Sequence, residues 1–143
     1  RFDFYIKHDR QVLLSDYAHH PNEIYHSARS IRQLYQNRKI TAIFQPHLYT
    51  RTRDFYKEFA DALSQLDEVI LCDIYPAREE PIPGVTSKLI YDNLKEGVEK
   101  SLISKDEVIG LVKERDFDVL IVLGAGDLDN QVPQIANIIE AKQ

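Results

Sequence analysis

The side chains best suited to chemistry are crowded into one stretch, F-Q-P-H-L-Y-T-R-T-R at Phe44–Arg53. It holds Gln45, His47, Tyr49, Arg51 and Arg53 between a β-rich apolar run (Ile40, Ala42, Ile43, Phe44) and a segment of strong helical period. It therefore reads as a strand-to-helix turn, with Pro46 ending the strand. Thr50 or Thr52 is placed to cap the helix, and Asp54 falls in its first turn. Two guanidiniums and an imidazole then lie beside the partial positive charge of a helix N-terminus, which favours a phosphate or a carboxylate. The competing reading is a pair of solvated surface arginines, the usual fate of charged residues. A second polar cluster, D-Y-A-H-H-P at 16–21, begins to tip the balance.

Other chemistries fit less well. His19, His20 and His47 could be metal ligands, but adjacent histidines rarely point the same way, and no His-x-x-x-His or carboxylate stands at ordinary zinc spacing. Asp16 with His19 or His47 could serve a hydrolase as base and orienter, yet no Ser or Cys sits in a sharp elbow. G-A-G-D at 124–127 lacks the third glycine of a dinucleotide fingerprint, and reads as a tight turn that lets the last helix pack closely. The chain has no G-x-x-x-x-G-K-[ST] phosphate loop. What remains is recognition: Arg and His donors for an anion, and Asp16 at a strand end for sugar hydroxyls. No catalytic centre is complete within this sequence.

The elements that would position these residues alternate. Residues 2–7 and 11–16 predict a β-hairpin, and Pro21 with Glu23 opens a helix buried through Ile24, Ala28, Ile31 and Tyr35. Strand 40–45 is followed by a helix with Phe55, Phe59, Ala62, Leu63 and Leu66 on one stripe. Val69–Ile74 reads as a strand buried on both faces, and Y-P-A-R-E-E-P-I-P-G after it as an ordered functional loop. A short helix follows from Thr86 or Ser87 to Leu94, then a short strand at 99–103. Ser104–Glu107 forms a capping box, Asp118–Leu123 a strand, and Val132, Ile135, Ala136 and Ile139 line a last helix. This order predicts one α/β, Rossmann-like three-layer sandwich, its sheet mainly parallel with one antiparallel strand from the hairpin. Every polar cluster follows the carboxyl end of a strand, the edge where open α/β sheets bind ligands.

Composition narrows the class further. The 143 residues suffice for one domain, and a formal charge of −5 gives no general pull toward nucleic acid or an anionic membrane. The single Cys72 excludes an intramolecular disulfide and a Cys-based zinc site. No apolar stretch approaches the roughly 20 residues of a membrane span, and no signal peptide is evident, which suits a cytoplasmic protein. A start on Arg1 and the lack of any Met suggest a piece of a longer polypeptide.

Five motifs in order carry a resemblance that covers essentially the whole chain: R-F-D-F at the start, D-Y-A-H-H-P-N-E at 16–23, F-Q-P-H-L-Y-T-R-T-R-D-F at 44–55, D-I-Y-P-A-R-E-E-P-I-P-G-V at 73–85 and V-L-G-A-G-D at 122–127. Together they resemble the C-terminal domain of the Mur ligase family, on the branch that joins L-alanine to UDP-N-acetylmuramate in peptidoglycan synthesis. The resemblance implies an ATP-dependent enzyme whose N-terminal domain holds the UDP-sugar and whose central domain carries the phosphate loop and Mg2+. The reaction it implies passes through an acyl phosphate that the amine of L-alanine attacks. Matched position by position, Arg1 resembles the junction arginine that reaches the ATP phosphates. Asp16 resembles the aspartate on the ATP ribose, with Tyr17, His19 and His20 lining the nucleotide and acceptor side. His47 and Arg51 resemble residues near the incoming amino acid, Arg51 facing its carboxylate.

The match has departures. Family members often carry arginine where this chain has Leu48, and aspartate where it has Ser15. Arg53 reads as structural or interdomain. The alternative from another class is a free-standing nucleotide-binding or regulatory module without catalysis.

Overall fold

The computed structural model describes residues 2–143, so Arg1 lies outside the described residues. Among them, six strands form one sheet in the order β1-β2-β6-β3-β4-β5. The strands are β1 (Phe2–Lys7), β2 (Val12–Asp16), β3 (Ile40–Phe44), β4 (Glu68–Leu71), β5 (Glu99–Leu102) and β6 (Val119–Leu123). The helices are α1 (Pro21–Leu34), α2 (Tyr49–Leu63), α3 (Lys88–Tyr91), α4 (Val108–Glu114) and α5 (Val132–Ala141). The hairpin β1–β2 is antiparallel and every other pairing is parallel.

Side chains alternate across the strands and so build two cores. Val12, Leu14, Ile40, Ala42, Phe44, Val69, Leu71, Val119 and Ile121 face the layer of α1, α2 and α3. Leu13, Ile43, Ile70, Leu120 and Val122 face α4 and α5. Strands covered on both faces read as nearly continuous apolar runs, and β3 and β6 do. Phe44 and Phe59 are fully buried with ring centroids 5.5 Å apart, joining β3 to α2.

The two edges of the sheet carry different chemistry. At the amino edge, where β3, β4, β5 and β6 begin, acids and bases interlock. Arg32 meets Asp67 at 2.5 Å, Arg38 meets Asp118 at 2.6 Å, and Lys39 meets Glu99 at 2.6 Å. Arg115 holds both oxygens of Glu68 at 3.0 and 2.8 Å. At the carboxyl edge lie the ends of β2, β6 and β3. The chain leaves β2 and β3 toward one helical layer and β6 toward the other, so the crevice between those strand ends is a topological switch point.

Candidate functional site

Asp16 closes β2 and is only 4% exposed. Its Oδ1 accepts the N–H of Ala18 at 3.0 Å and its Oδ2 accepts the Ser27 hydroxyl of α1 at 2.5 Å. The carboxylate thereby ties the turn at 16–20 to the helix. Glu23, in the first turn of α1, ties it again: one oxygen accepts the N–H of His20 at 3.0 Å and of His19 at 3.1 Å. Those two backbone bonds hold the Glu23 carboxyl below its ordinary range.

The expectation that adjacent histidines diverge is not met. Both N–H groups point at the same Glu23 oxygen, the peptide curls around it, and the His19 and His20 rings come to 4.7 Å. A row of rings follows: Tyr17, 60% exposed, stands edge-on to His19, His19 stands edge-on to His47 at 5.7 Å, and His47 stacks on Tyr75 at 5.6 Å with planes 14° apart. Residues far apart in sequence are thus gathered as the position of the strand ends requires. Among the described residues no group of three or more His, Cys, Asp or Glu side chains is disposed to hold a metal ion.

Hydrogen-bond partners assign the tautomers. His19 Nδ1 lies 3.0 Å from the carbonyl of Tyr17, which can only accept, so Nδ1 carries the proton and Nε2 of the neutral ring is an acceptor. His47 is the reverse. Its Nδ1 lies 2.9 Å from Nη1 of Arg51, which can only donate, so the neutral ring carries its proton on Nε2. Burial first, and then the Arg51 charge, push the His47 pKa below its ordinary value, which keeps the ring neutral.

Arg51 is half-buried, and its Nη1 also reaches the carbonyl of His47 at 3.4 Å. Its Nε and Nη2 make no hydrogen bond among the described residues, and these two form the side-on edge of the fork that matches a carboxylate. Arg53, by contrast, is exposed and turns to its neighbour Asp54 at 2.9 Å.

The start of α2 differs from the sequence expectation. Neither Thr50 nor Thr52 is the cap: the helix begins at Tyr49, and the cap position is Leu48, with φ 76°. A leucine held there carries roughly 1–3 kcal/mol of backbone strain. Thr52 bonds back to the Leu48 carbonyl, and the first turn has no acid of its own. The acid comes from the Pro-rich loop. Glu79 accepts the Thr50 N–H at 3.1 Å and the Thr50 hydroxyl at 2.5 Å, bonds that, with the Thr50 hydroxyl foremost, lower its pKa. The anion-favouring helix end is therefore already met by a side chain of the protein. Tyr75 grips the same turn through its backbone, donating to Pro46 at 2.8 Å and accepting from Leu48 at 2.9 Å. The sequence carries no signal for these contacts of Tyr75 and Glu79, because Thr50, Thr52 and Asp54 already offer the expected cap and first-turn acid; only the true helix start at Tyr49 leaves that place to Glu79.

G-A-G-D also has a different role from the one expected. Gln45, 3% exposed at the end of β3, donates its carboxamide to Asp127 at 3.0 Å and accepts the Leu128 N–H at 2.9 Å. The glycines admit that side chain and strand end rather than the last helix. Gly124 sits at φ +135° against the Gln45 carbonyl. Asp127 is taken by Gln45 and by Lys105 at 2.5 Å, so it is part of the scaffold.

The profile of the family described as "Mur ligase, glutamate ligase domain" matches residues 1–126. The UDP-N-acetylmuramate–L-alanine ligase of Phocaeicola vulgatus is 66% identical over 142 residues, 99% of this chain and 31% of that protein. The solved UDP-N-acetylmuramate-alanine ligase of Thermotoga maritima superposes with a TM-score of 0.76 at 26% identity, over all of this chain and 30% of its own. A separately solved domain of a putative UDP-N-acetylmuramate:L-alanyl-gamma-D-glutamyl-meso-diaminopimelate ligase from Haemophilus ducreyi shares the fold, with a TM-score of 0.68 at 18% identity and full coverage of both chains. This chain thus spans about a third of the length of the curated relatives it matches. It belongs to the Mur ligase family and corresponds to the family's C-terminal domain.

Proposed function

We propose that this domain supplies the amino-acid site and the ribose contact of an ATP-dependent ligase that joins L-alanine to UDP-N-acetylmuramate. ATP, when bound, supplies the phosphoryl group that activates the acceptor carboxyl; Mg2+ is held mainly by preceding domains. The observation that carries the reading is the Arg51 fork, tied by Nη1 to His47 and turned so that Nε and Nη2 can take a carboxylate in two parallel bonds. His19, one ring away, offers an Nε2 lone pair that can accept a proton from the ammonium of the amino acid and leave a nucleophilic amine. A positioned base of this kind contributes about 10²–10⁴-fold. His47, kept neutral, offers an Nε2–H donor to the same ligand. Asp16 holds the ribose hydroxyls from the end of β2, with His20 and the exposed Tyr17 beside the nucleotide, and Arg1 reaches the phosphates from the junction. The domain alone, lacking a phosphate loop, neither hydrolyses ATP nor forms the amide.

The test is Arg51→Ala in the longer polypeptide. Truncating one partner of a desolvated charge pair costs about 2–5 kcal/mol, on the order of thirtyfold to several thousandfold in L-alanine use, with a much smaller change in the KM for ATP. Arg51→Lys recovers only part of the loss, because an ammonium keeps the charge without the fork. L-Alaninamide is the control: wild type discriminates against it far more than Arg51→Ala does. Equal discrimination by both proteins removes Arg51 from the amino-acid site.

A further inference from the structure

We infer that Glu79 is a positioning residue for the carboxylate site of Arg51, acting from the Pro-rich loop by closing the start of α2 on which Arg51 and His47 are mounted. The inference rests on the proposed amino-acid site and goes beyond it.

A helix start leaves its first N–H groups without intrahelical partners, and the residue before the helix ordinarily supplies a side-chain oxygen. Leu48 has none, and its backbone is held at φ 76°, a conformation that persists only where surrounding contacts enforce it. Those contacts come from one segment. Tyr75 donates to the Pro46 carbonyl, accepts from the Leu48 N–H and stacks its ring on His47. Four residues later Glu79 takes both the N–H and the hydroxyl of Thr50. Between them the loop turns through Ala77 at φ +53°, and the Glu79 N–H closes onto the Pro76 carbonyl at 2.9 Å. The loop therefore holds the turn on both sides of Leu48, through Tyr75 before the helix and Glu79 within its first turn. Arg51 stands one residue beyond Thr50 and bonds His47, one residue before Leu48. A shift of the helix start relative to the strand end would pull the Nη1–Nδ1 contact apart and rotate the fork.

Glu79 has a second effect on recognition. With its charge on the helix start, an incoming carboxylate is not drawn onto the backbone N–H groups there and meets the open edge of Arg51 instead. The site then reads the carboxylate by geometry, where a bare helix end would attract any anion.

Two measurements test this. The first is amide hydrogen exchange in the 143-residue chain. Such a domain stands alone, having two cores of its own and a structural counterpart solved as a separate domain. Loss of a helix cap loosens the start by about tenfold, so Thr50 exchange rises by that factor in Glu79→Ala and less in Glu79→Gln, which keeps one acceptor oxygen. Exchange at Ala18 stays unchanged. An unaltered Thr50 overturns the inference whatever reaction the protein performs. The second measurement is the kinetics of the longer polypeptide. Glu79→Ala raises the KM for L-alanine by about tenfold or more, lowers discrimination against L-alaninamide, and leaves the KM for ATP within about twofold; Glu79→Gln lies between it and wild type. If the two KM values rise together, or discrimination is retained, Glu79 merely stabilises the fold and the inference fails. If Arg51→Ala leaves L-alanine use unchanged while Thr50 still loosens in Glu79→Ala, the proposed amino-acid site is wrong, and the positioning role falls with it.

Discussion

Gly126 stands so close to Gln45 that a Cβ built on it would lie 2.3 Å from the Gln45 Oε1 and 2.8 Å from the Cβ of Tyr75. The Gln45 side chain cannot step aside, because both ends of its carboxamide are engaged, by Asp127 and by the Leu128 N–H. Gly126→Ala should therefore destabilise the domain by about 1–3 kcal/mol through overpacking. Gly110 in α4 is the internal comparison: a Cβ there meets nothing within 4 Å, so Gly110→Ala should gain roughly 0.5–1 kcal/mol. Urea unfolding of the two variants measures both, and a neutral Gly126→Ala would show that the turn relaxes freely.

Asp16 serves the scaffold as well as the proposed ribose contact. An asparagine in its place can keep an acceptor for the Ala18 N–H but turns an NH2 group toward Ser27, so the hydroxyl must switch from donor to acceptor and a charge-assisted bond becomes a neutral one. Asp16→Asn should cost about 1–3 kcal/mol in unfolding free energy and, in the longer polypeptide, raise the KM for ATP with little change for L-alanine. ATP kinetics identical to wild type in a folded variant would end the ribose assignment.

The His47 ring should titrate below its ordinary range, since burial and the Arg51 guanidinium both oppose its charge. The sign follows: in the window just below pH 6.5 the unfolded chain binds a proton that the native chain refuses, so stability from this residue is complete above pH 6.5 and lost as pH falls through the depressed value. Protonation of Nδ1 also removes the acceptor of Arg51 Nη1. L-Alanine use should accordingly fall in acid together with the NMR titration of this ring, and a midpoint at or above 6.5 would contradict the burial argument.

Glu68 is held at the amino end of β4 by both amino groups of Arg115 and by the Thr41 hydroxyl at 3.1 Å. The Arg115 bonds above all keep its carboxyl below the usual range, so its contribution is present above that range and lost as pH falls through the depressed value. Breaking a buried pair costs about 3–5 kcal/mol, and because Arg115 remains 35% exposed, Arg115→Met should cost less, about 2–3 kcal/mol. Adding Glu68→Gln should recover part of that loss. A double variant no better than the single would show that the two charges do not depend on each other.

Much of the fold was legible because it is local. The nearly continuous apolar runs of β3 and β6, the α2 stripe through Phe59, Ala62 and Leu63, Pro21 with Glu23 at the head of α1, and the Ser104–Glu107 box are patterns a few residues long. Phe55, expected on that stripe, lies instead at a kink in α2 and is 41% exposed. The convergence of D-Y-A-H-H-P with Q-P-H-L-Y-T-R also followed, since strand ends share an edge. What escaped depends on partners distant in sequence. Thr50 resembles a cap residue, yet its partner Glu79 is 29 positions away. G-A-G-D looks like a turn for its own helix until Gln45 is seen to occupy the space. β4 ends at Leu71 rather than Ile74, because beyond it the chain follows Pro46–Leu48 in a single parallel bridge between His47 and Tyr75.

The charged lattice at the amino edge and the rings and fork at the carboxyl edge are opposite ends of the same strands. Five residues of β3 separate them, at about 3.3 Å of rise each. A Debye length in physiological salt is shorter, about 8 Å. Across the surrounding solution the charges of Arg32–Asp67, Lys39–Glu99 and their neighbours are therefore largely screened from the Arg51 fork. Substitutions among those pairs should accordingly change how the stability of the domain responds to salt while leaving the Arg51 fork and the row of rings in place.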